Sequence, residues 1–411
     1  MKAALTDDRT EAGFGLTARR NVAVLTAAQA LGAASPPIII SLGGLVGQSL
    51  ASDPALATLP VSLFNLGLAL GTLPAAFIMR RFGRRNGYLL GATFGIVAGL
   101  LAAAGISLTS FLVFCLGTTI AGFYAAYVQS YRFAATDAVS GPLQGKAIAW
   151  VMVGGLLAAI IGPQLVIWTR DAIASTPFAG SFLSQAGLAL LALPVLLLLR
   201  SPASERGASA ASAGGRSVLQ LLSMPRFLLS VTAGVVSYGL MVFIMTAAPM
   251  AMVGHGHSVD HAALAIQWHV LAMFAPSFLT GYLITWFGKE RVTAAGLLLI
   301  ALSGAVALSG LGLLHFWTSL ILLGIGWNFG FIGATAMVAG CHTPAERSKA
   351  QGANDFLVFG VVAAASFFSG GLLHAAGWQL INWFIFPAVA FVLVPLLWRA
   401  GRGRVPLAER P

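Results

Sequence analysis

The residues AFIMRRFGRR, positions 76–85, join one helix-length apolar run to the next and place Phe-Gly and then a cation at the turn. The block GYLITWFGKE, positions 281–290, repeats this arrangement 205 residues later (281 − 76), which is half of the 411-residue chain. A short basic turn that recurs at half-length predicts a duplicated helical bundle in a membrane.

The composition supports a membrane protein. Hydrophobic residues make up 58% of the chain and charged residues 9%, whereas a soluble domain carries about 25% charged residues. This much apolar chain indicates lipid as the solvent. The net charge of +11 does not indicate nucleic-acid binding, because the cations fall in short gaps between apolar runs and form no basic face. Cys115 and Cys341 lie far apart and imply no disulfide framework.

A helical span of a bilayer needs about 20 mostly apolar residues. Twelve such spans are predicted, at 21–47, 57–80, 87–107, 109–134, 146–169, 179–200, 226–253, 262–287, 292–310, 312–340, 350–374 and 377–398. The predicted fold is therefore an all-α membrane protein with twelve transmembrane helices. The even number places both termini on the same side.

Positive charge predicts which side that is, since Lys and Arg collect in cytoplasmic loops. With cytoplasmic termini, 22 of the 23 cations lie inside, and Arg170 is the one outside. Arginine also outnumbers lysine strongly, which suggests a GC-rich bacterial genome. We expect a multi-pass protein of a bacterial inner membrane with both termini in the cytoplasm.

One stretch interrupts the series of spans. Residues 201–216 read SPASERGASAASAGGR, a composition typical of a flexible linker. The predicted organisation is an N-terminal six-helix bundle (1–200), a cytoplasmic linker (201–225) and a C-terminal six-helix bundle (226–411).

The basic turn and the twelve spans together resemble the major facilitator superfamily, whose signature turn is Gly-x-x-x-Asp-Arg-x-Gly-Arg-Arg. The first copy matches at four positions and departs at the first Gly and at the Asp, where Ala76 and Arg80 stand. The matching residues are Arg81, Gly83, Arg84 and Arg85. The second copy keeps Gly281 and Gly288, and Lys289 supplies its cation. The resemblance implies two pseudo-symmetric bundles that rock about a central site, which is the mechanism of a secondary transporter.

Spans 1, 4, 7 and 10 line the cavity in that family, which directs attention to their polar residues. On span 4, Arg132 is expected either to attract an anionic group or to extend to the lipid headgroups. Tyr124 and Tyr131 fall on one helical stripe, where they either contact substrate or pack between helices. Gln29 of span 1 is a further substrate-contact candidate, with interhelical hydrogen bonding as the alternative.

The internal repeat adds two candidates. Alignment of Gly122-Phe123-Tyr124 with Gly326-Trp327-Asn328 puts an aromatic and a polar residue at the same depth in both halves. Trp327 and Asn328 are accordingly predicted to bind substrate together with Tyr124.

The signature turn also predicts a cytoplasmic gate. Arg80 replaces the family's acid, and Asp355 lies near the start of span 11. We predict that Arg80 pairs with Asp355, the alternative being that Asp355 only caps its helix. Asp137 should meet Arg84 or Arg85. Gly288 and Lys289 form the corresponding turn of the second half.

The predicted function is secondary active transport of a small organic compound by a monomer, without cofactor or bound metal. Proton coupling is expected, with His269 as a candidate carrier and helix packing as its alternative. Gly162-Pro163 of span 5 resembles part of an exporter pattern and favours efflux. Uptake of an organic anion or metabolite is the alternative, and a non-transporting sensor or scaffold is a third reading. The spans hold no constellation typical of an enzyme.

Overall fold

The structure, a computed structural model, describes residues 15–137, 139, 143–200 and 215–402. Regular secondary structure in these residues is helical throughout. Most of the predicted linker, 201–214, lies outside the described residues, as do the ends of both tails.

Twelve spans follow from the helices. Spans 1 to 6 are Leu16–Gly32 with Ser35–Leu50, Leu59–Phe82, Arg84–Ser107, Phe111–Gln129 with Tyr131–Ala134, Leu143–Thr169, and Ala179–Leu197. Spans 7 to 10 are Pro225–Gly254, Val259–Phe274 with Ser277–Phe287, Lys289–Ser309, and Leu313–Ala339. The helix Arg347–Trp383 is broken at Gly377. The part before Gly377 is span 11, and the part after it forms span 12 together with Ile385–Arg402. Short helices lie at Pro54–Leu56, Val218–Leu222 and Pro344–Glu346.

The division at Gly377 is required by length. The apolar segment Lys349–Trp398 has 50 residues, and as one helix it would extend about 75 Å across a hydrocarbon core of about 30 Å. Gly377 has φ 75° and ψ 177°, which breaks the helix there. The twelve-helix prediction is confirmed.

The two halves repeat the same helix neighbours. Spans 2 and 3 pack against span 4 as spans 8 and 9 pack against span 10, and the span 3–6 contact recurs between spans 9 and 12. The halves meet where spans 1, 2 and 5 contact spans 7, 8 and 11. Their outer surfaces expose many Leu, Phe and Trp side chains, as a lipid-facing surface requires.

Both copies of the basic turn have the same backbone geometry. Gly83 has φ 83° and ψ 155°, and Gly288 has φ 84° and ψ 151°. This region of conformational space is accessible to glycine almost alone. The end of the bundle that holds these two turns is called the basic end below, and the end that holds Gly377 is called the distal end.

At the distal end the halves are joined by polar contacts. Ser62 of span 2 donates to Ser366 of span 11 (3.2 Å), and Gln164 of span 5 donates to Gln267 of span 8 (3.0 Å). Arg170, the cation predicted to lie outside, is 3.1 Å from Asp260 of the second half. These contacts close the distal end.

The end of the predicted linker is packed on the second half. Arg216 donates to both carboxylate oxygens of Glu346 at 2.8 Å, and these hydrogen bonds hold the pKa of Glu346 well below its usual range. Leu221 is fully buried beside Phe227 and Val231 of span 7. Residues 215–224 therefore belong structurally with the second bundle.

Replacing either turn glycine should destabilise the fold. We expect Gly83→Ala and Gly288→Ala each to lower the free energy of unfolding by about 1–3 kcal/mol, because a Cβ is strained at this backbone conformation. The measurement is thermal melting in detergent. Gly281→Ala, at a helical position with nothing within 4 Å of the added Cβ, is the control and should melt no lower than the unaltered protein.

Loss of the distal ion pair should open the distal end. With Ser62→Cys as a buried reporter, Asp260→Asn is expected to raise its alkylation rate up to about fivefold, the upper limit for a surface ion pair, since Arg170 and Asp260 are both partly exposed. Asp171→Asn is the matched control, because Asp171 contacts the same Arg170 (3.0 Å) from within the first half. Equal rates in both variants would contradict a closing role for Asp260.

Candidate substrate-binding site

Two opposite charges face each other across a cleft between the halves. Arg132 of span 4 and Asp355 of span 11 are both exposed, and each lies close enough to act electrostatically on the other. Neither forms an ion pair with a described residue. The Arg132 guanidinium lies 4.8 Å from the ring of Phe133, and Asp355 Oδ1 accepts from Asn354 Nδ2 at 3.0 Å. The polar contacts between the halves lie at the distal end, so the halves are apart here and a cleft between them opens toward the basic end.

An aromatic cluster lies beside these charges, with Tyr238 of span 7 at its centre. Its ring centroid is 5.3 Å from Trp327 and 5.0 Å from Phe331 of span 10, and 6.0 Å from Phe359 of span 11. Trp327 and Phe331 are stacked at 5.5 Å, and Phe274 of span 8 lies 6.2 Å from Trp327. Four spans of the second half thus build one aromatic wall.

Polar groups on this wall and on span 1 of the first half are available to a ligand. Tyr238 lies within electrostatic reach of Arg132, and its hydroxyl makes no hydrogen bond to a described residue. The buried Trp327 Nε1–H likewise lacks a partner in the described part of the chain. Gln29 of span 1 is half-buried against Gly154 and Gly155 of span 5, and its amide also makes no bond to a described residue. Gln29 and Trp327 remain predicted substrate contacts.

Asn328 has a different role from the predicted one. Its side chain is fully buried and donates to the Met273 carbonyl and the Ser277 hydroxyl, both at 2.6 Å. It also accepts from Thr280. These partners flank the 42° bend of span 8, where Pro276 has no N–H to donate. Asn328 holds this bend, and it has no free polar atom for substrate.

Tyr124 and Tyr131 are also corrected. Both are buried inside the first half, at 1% and 0% exposure, and do not reach the cleft. Tyr124 packs against Gly32 and Gly95, and Tyr131 lies edge-on to Tyr88 at 4.6 Å. Helix packing accounts for their rings, but neither hydroxyl has a hydrogen-bond partner among the described residues.

The repeat alignment behind these candidates was out of register. A Cβ at Gly122 would collide with the Phe64 carbonyl of span 2, and one at Gly324 would collide with the His269 carbonyl of span 8. Gly122 therefore corresponds to Gly324, an offset of 202, while the turns are offset by 205. Span 3 has 24 residues and span 9 has 21. This difference of three residues reduces the offset between the halves from 205 at the turns to 202 in spans 4 and 10. The predicted partner, Gly326, is two residues further on, a rotation of about 200°.

His269 is enclosed in the second half. Its Nδ1 bonds the Leu320 carbonyl of span 10 at 2.6 Å, and the ring is fully buried. Its Nε2 is buried without a partner among the described residues, so proton carriage by His269 stays a prediction.

The predicted pair of Arg80 and Asp355 is not formed. The Arg80 guanidinium lies over the Phe77 ring at 5.8 Å, because the halves are apart at the basic end. Asp355 faces Arg132 instead.

The other turn residues make contacts within their own halves. Arg84 Nη2 donates to Asp137 at 2.9 Å, as the pairing prediction allowed. Arg81 lies 5.6 Å from the Phe82 ring, and Arg85 Nε is buried without a partner in the described residues. Lys289 donates to the Ala336 carbonyl near the end of span 10 (3.3 Å).

The sequence prediction missed Phe331 and Phe359 as cleft residues. Two spacings could have indicated them. Phe331 follows Trp327 by four residues, and Phe359 follows Asp355 by four, so each pair shares a helix face.

Comparison with known proteins places this site in context. The family profile described as Major Facilitator Superfamily matches residues 22–265. The chain is 71% identical over 382 residues to the riboflavin transporter RfnT of Brucella anthropi, covering 93% of this chain and 96% of that protein. It is 28% identical to the uncharacterized MFS-type transporter YdeG of Bacillus subtilis, with 93% of each chain covered.

Solved structures share the fold at low sequence identity. A D-xylose-proton symporter matches with a TM-score of 0.72 at 14% identity, over 93% of this chain and 96% of its own. The nucleoside transporter NupG matches with a TM-score of 0.67 at 14% identity, over 95% and 100%.

The role of Asn328 can be tested by its removal. Asn328→Ala should lower the free energy of unfolding by about 1–3 kcal/mol, because the Met273 carbonyl and the Thr280 hydroxyl lose a buried partner. Substrate KM should rise only together with this loss of stability, because Phe274 at the bend lies beside Trp327 of the aromatic wall. Thr335→Ala, at an exposed site on the same span, is the control for thermal melting. Normal melting with a raised KM would instead assign Asn328 to the substrate.

Proposed function

Because the chain belongs to the Major Facilitator Superfamily, a family of small-molecule transporters and not of enzymes, we propose that it carries riboflavin across the membrane by alternating access. The observation that carries this proposal is the aromatic wall around Tyr238, taken with the 71% identity to a riboflavin transporter.

The chemistry of riboflavin suits the cleft. Its isoalloxazine system is a flat, uncharged, three-ring aromatic, which gains from edge-to-face and stacked contacts with Trp, Tyr and Phe. Its ribityl chain carries hydroxyls that can bond a free amide such as Gln29 or the Tyr238 hydroxyl. A mostly aromatic wall with a few polar groups is the usual design of a small-molecule site.

Uptake is the proposed direction. The efflux prediction rested on Gly162-Pro163, and the contacts of Gly162 give that fragment a packing role: a Cβ there would collide with the Ala34 carbonyl at the break in span 1. With the basic end in the cytoplasm, as the positive charges predict, the cleft would face inward in this structure. We retain a bacterial inner membrane, a monomer and proton coupling as predictions. A non-transporting sensor or scaffold is disfavoured, because the relative of 71% identity is a riboflavin transporter.

The proposal is tested in a riboflavin auxotroph without a riboflavin carrier of its own. Expression of the chain should restore growth at low riboflavin and give saturable uptake of labelled riboflavin. An uncoupler should abolish accumulation if protons drive it. If uptake is absent and preloaded cells release riboflavin, the direction of transport is efflux and the uptake proposal is wrong.

The aromatic wall gives the matching variants. Phe331→Ala and Tyr238→Ala should each raise the riboflavin KM at least about tenfold, since each removes ring contacts worth about 0.5–1.5 kcal/mol beyond its buried area. Tyr238→Phe should keep most of the affinity. The control is Phe391→Ala, because Phe391 lies at an exposed site on span 12 of the same half. Unaltered KM in Phe331→Ala and Tyr238→Ala would refute the wall as the ring-binding surface.

A further inference from the structure

The charges on the two sides of the cleft are unpaired although each has an opposite charge nearby. Arg132 lies on the first half and Asp355 on the second, and both are exposed in the cleft without an ion pair to any described residue. The Asn354 amide occupies only Oδ1 of the carboxylate, and Oδ2 accepts no hydrogen bond from a described residue. A cation and an acid kept apart in this way leave room for a ligand that satisfies both.

The pattern of these groups is specific. A guanidinium presents a planar fork of N–H donors, and a carboxylate oxygen only accepts. Together they complement a flat edge that offers a carbonyl oxygen beside an N–H. The pyrimidine-like ring of an isoalloxazine has such an edge, with N3–H between the carbonyls at C2 and C4.

The aromatic wall lies where the rest of that ring system would extend. Phe359 is four residues after Asp355 and so shares its helix face. The ring centroids of Phe359 and Tyr238 are 6.0 Å apart. The charge of Arg132 also reaches Tyr238. A flat ring with its polar edge between the charges would therefore rest against Tyr238 and Phe359.

We infer that Arg132 and Asp355 together recognise the imide edge of the flavin ring, with Arg132 donating to a ring carbonyl and Asp355 accepting from N3–H. This inference rests on the proposed riboflavin transport and adds the residues that decide specificity. It assigns one hydrogen-bonding partner to each half, so the ligand spans the cleft.

The experiment compares riboflavin with N3-methylriboflavin, which lacks the N–H, by flavin fluorescence on the purified protein. The unaltered protein should bind the methylated compound at least about tenfold more weakly, as expected for loss of a hydrogen bond to a charged group. Asp355→Ala should weaken riboflavin binding by a similar factor and abolish the preference between the two compounds. Such a cycle isolates the contact between carboxylate and N3–H.

Further variants keep the test decisive. Arg132→Gln should weaken both compounds equally, because its donors meet a carbonyl that both carry. The controls are Asp171→Ala at the distal end and Arg291→Gln on span 9, which should leave both affinities unchanged. Thermal melting establishes that each variant is folded, and Asp355→Leu, which also lacks an acceptor oxygen, replaces Asp355→Ala if the latter is not.

The outcomes separate this inference from the proposed function. If Asp355→Ala keeps the full preference for riboflavin while Phe331→Ala loses binding, the edge recognition is wrong and riboflavin transport stands. A preference that persists while only gradient-driven uptake is lost would make Asp355 a coupling residue and also overturn the inference. If the unaltered protein binds neither flavin, the proposed function itself fails.

Discussion

In a bilayer, every backbone N–H and C=O must find a partner inside the protein, because the surrounding lipid offers none. The structure depends on how this requirement is met where spans bend. At the bend of span 8, Asn328 of span 10 supplies hydrogen bonds that the helix itself lacks. The bend in turn positions Phe274 beside Trp327. The buried hydrogen bonds of Asn328 thus help to position the aromatic wall, to which its neighbour Trp327 on span 10 belongs.

The two halves share one topology but supply different chemistry to the cleft. The first half contributes Arg132 and Gln29, while the second contributes Asp355 and the aromatic wall. Duplication explains the common backbone, including the two matching turns at Gly83 and Gly288. It does not require equivalent side chains, and a ligand with a polar edge and an apolar ring is served better by unlike halves.

Sequence reasoning reached the fold because spans and turn glycines are local features. Length, hydropathy and the need for glycine at Gly83 are all readable without tertiary structure. The site residues depend on which way each helix faces, and a shift of one residue along a helix turns this direction by about 100°. A sequence locates the edges of a span only to within a few residues. The three-residue difference between spans 3 and 9 was enough to misplace Asn328. The pairing of Arg80 with Asp355 depends also on which end of the cleft is open, and a sequence does not specify a conformational state.

Arg170 contacts two carboxylates, Asp171 on its own half and Asp260 on the other. When the distal end separates, the guanidinium leaves Asp260 but keeps Asp171. The separation would then cost a single partly exposed ion pair, worth about 0–1 kcal/mol. Arg170 therefore has a counter-charge on its own half whether or not the distal end is closed.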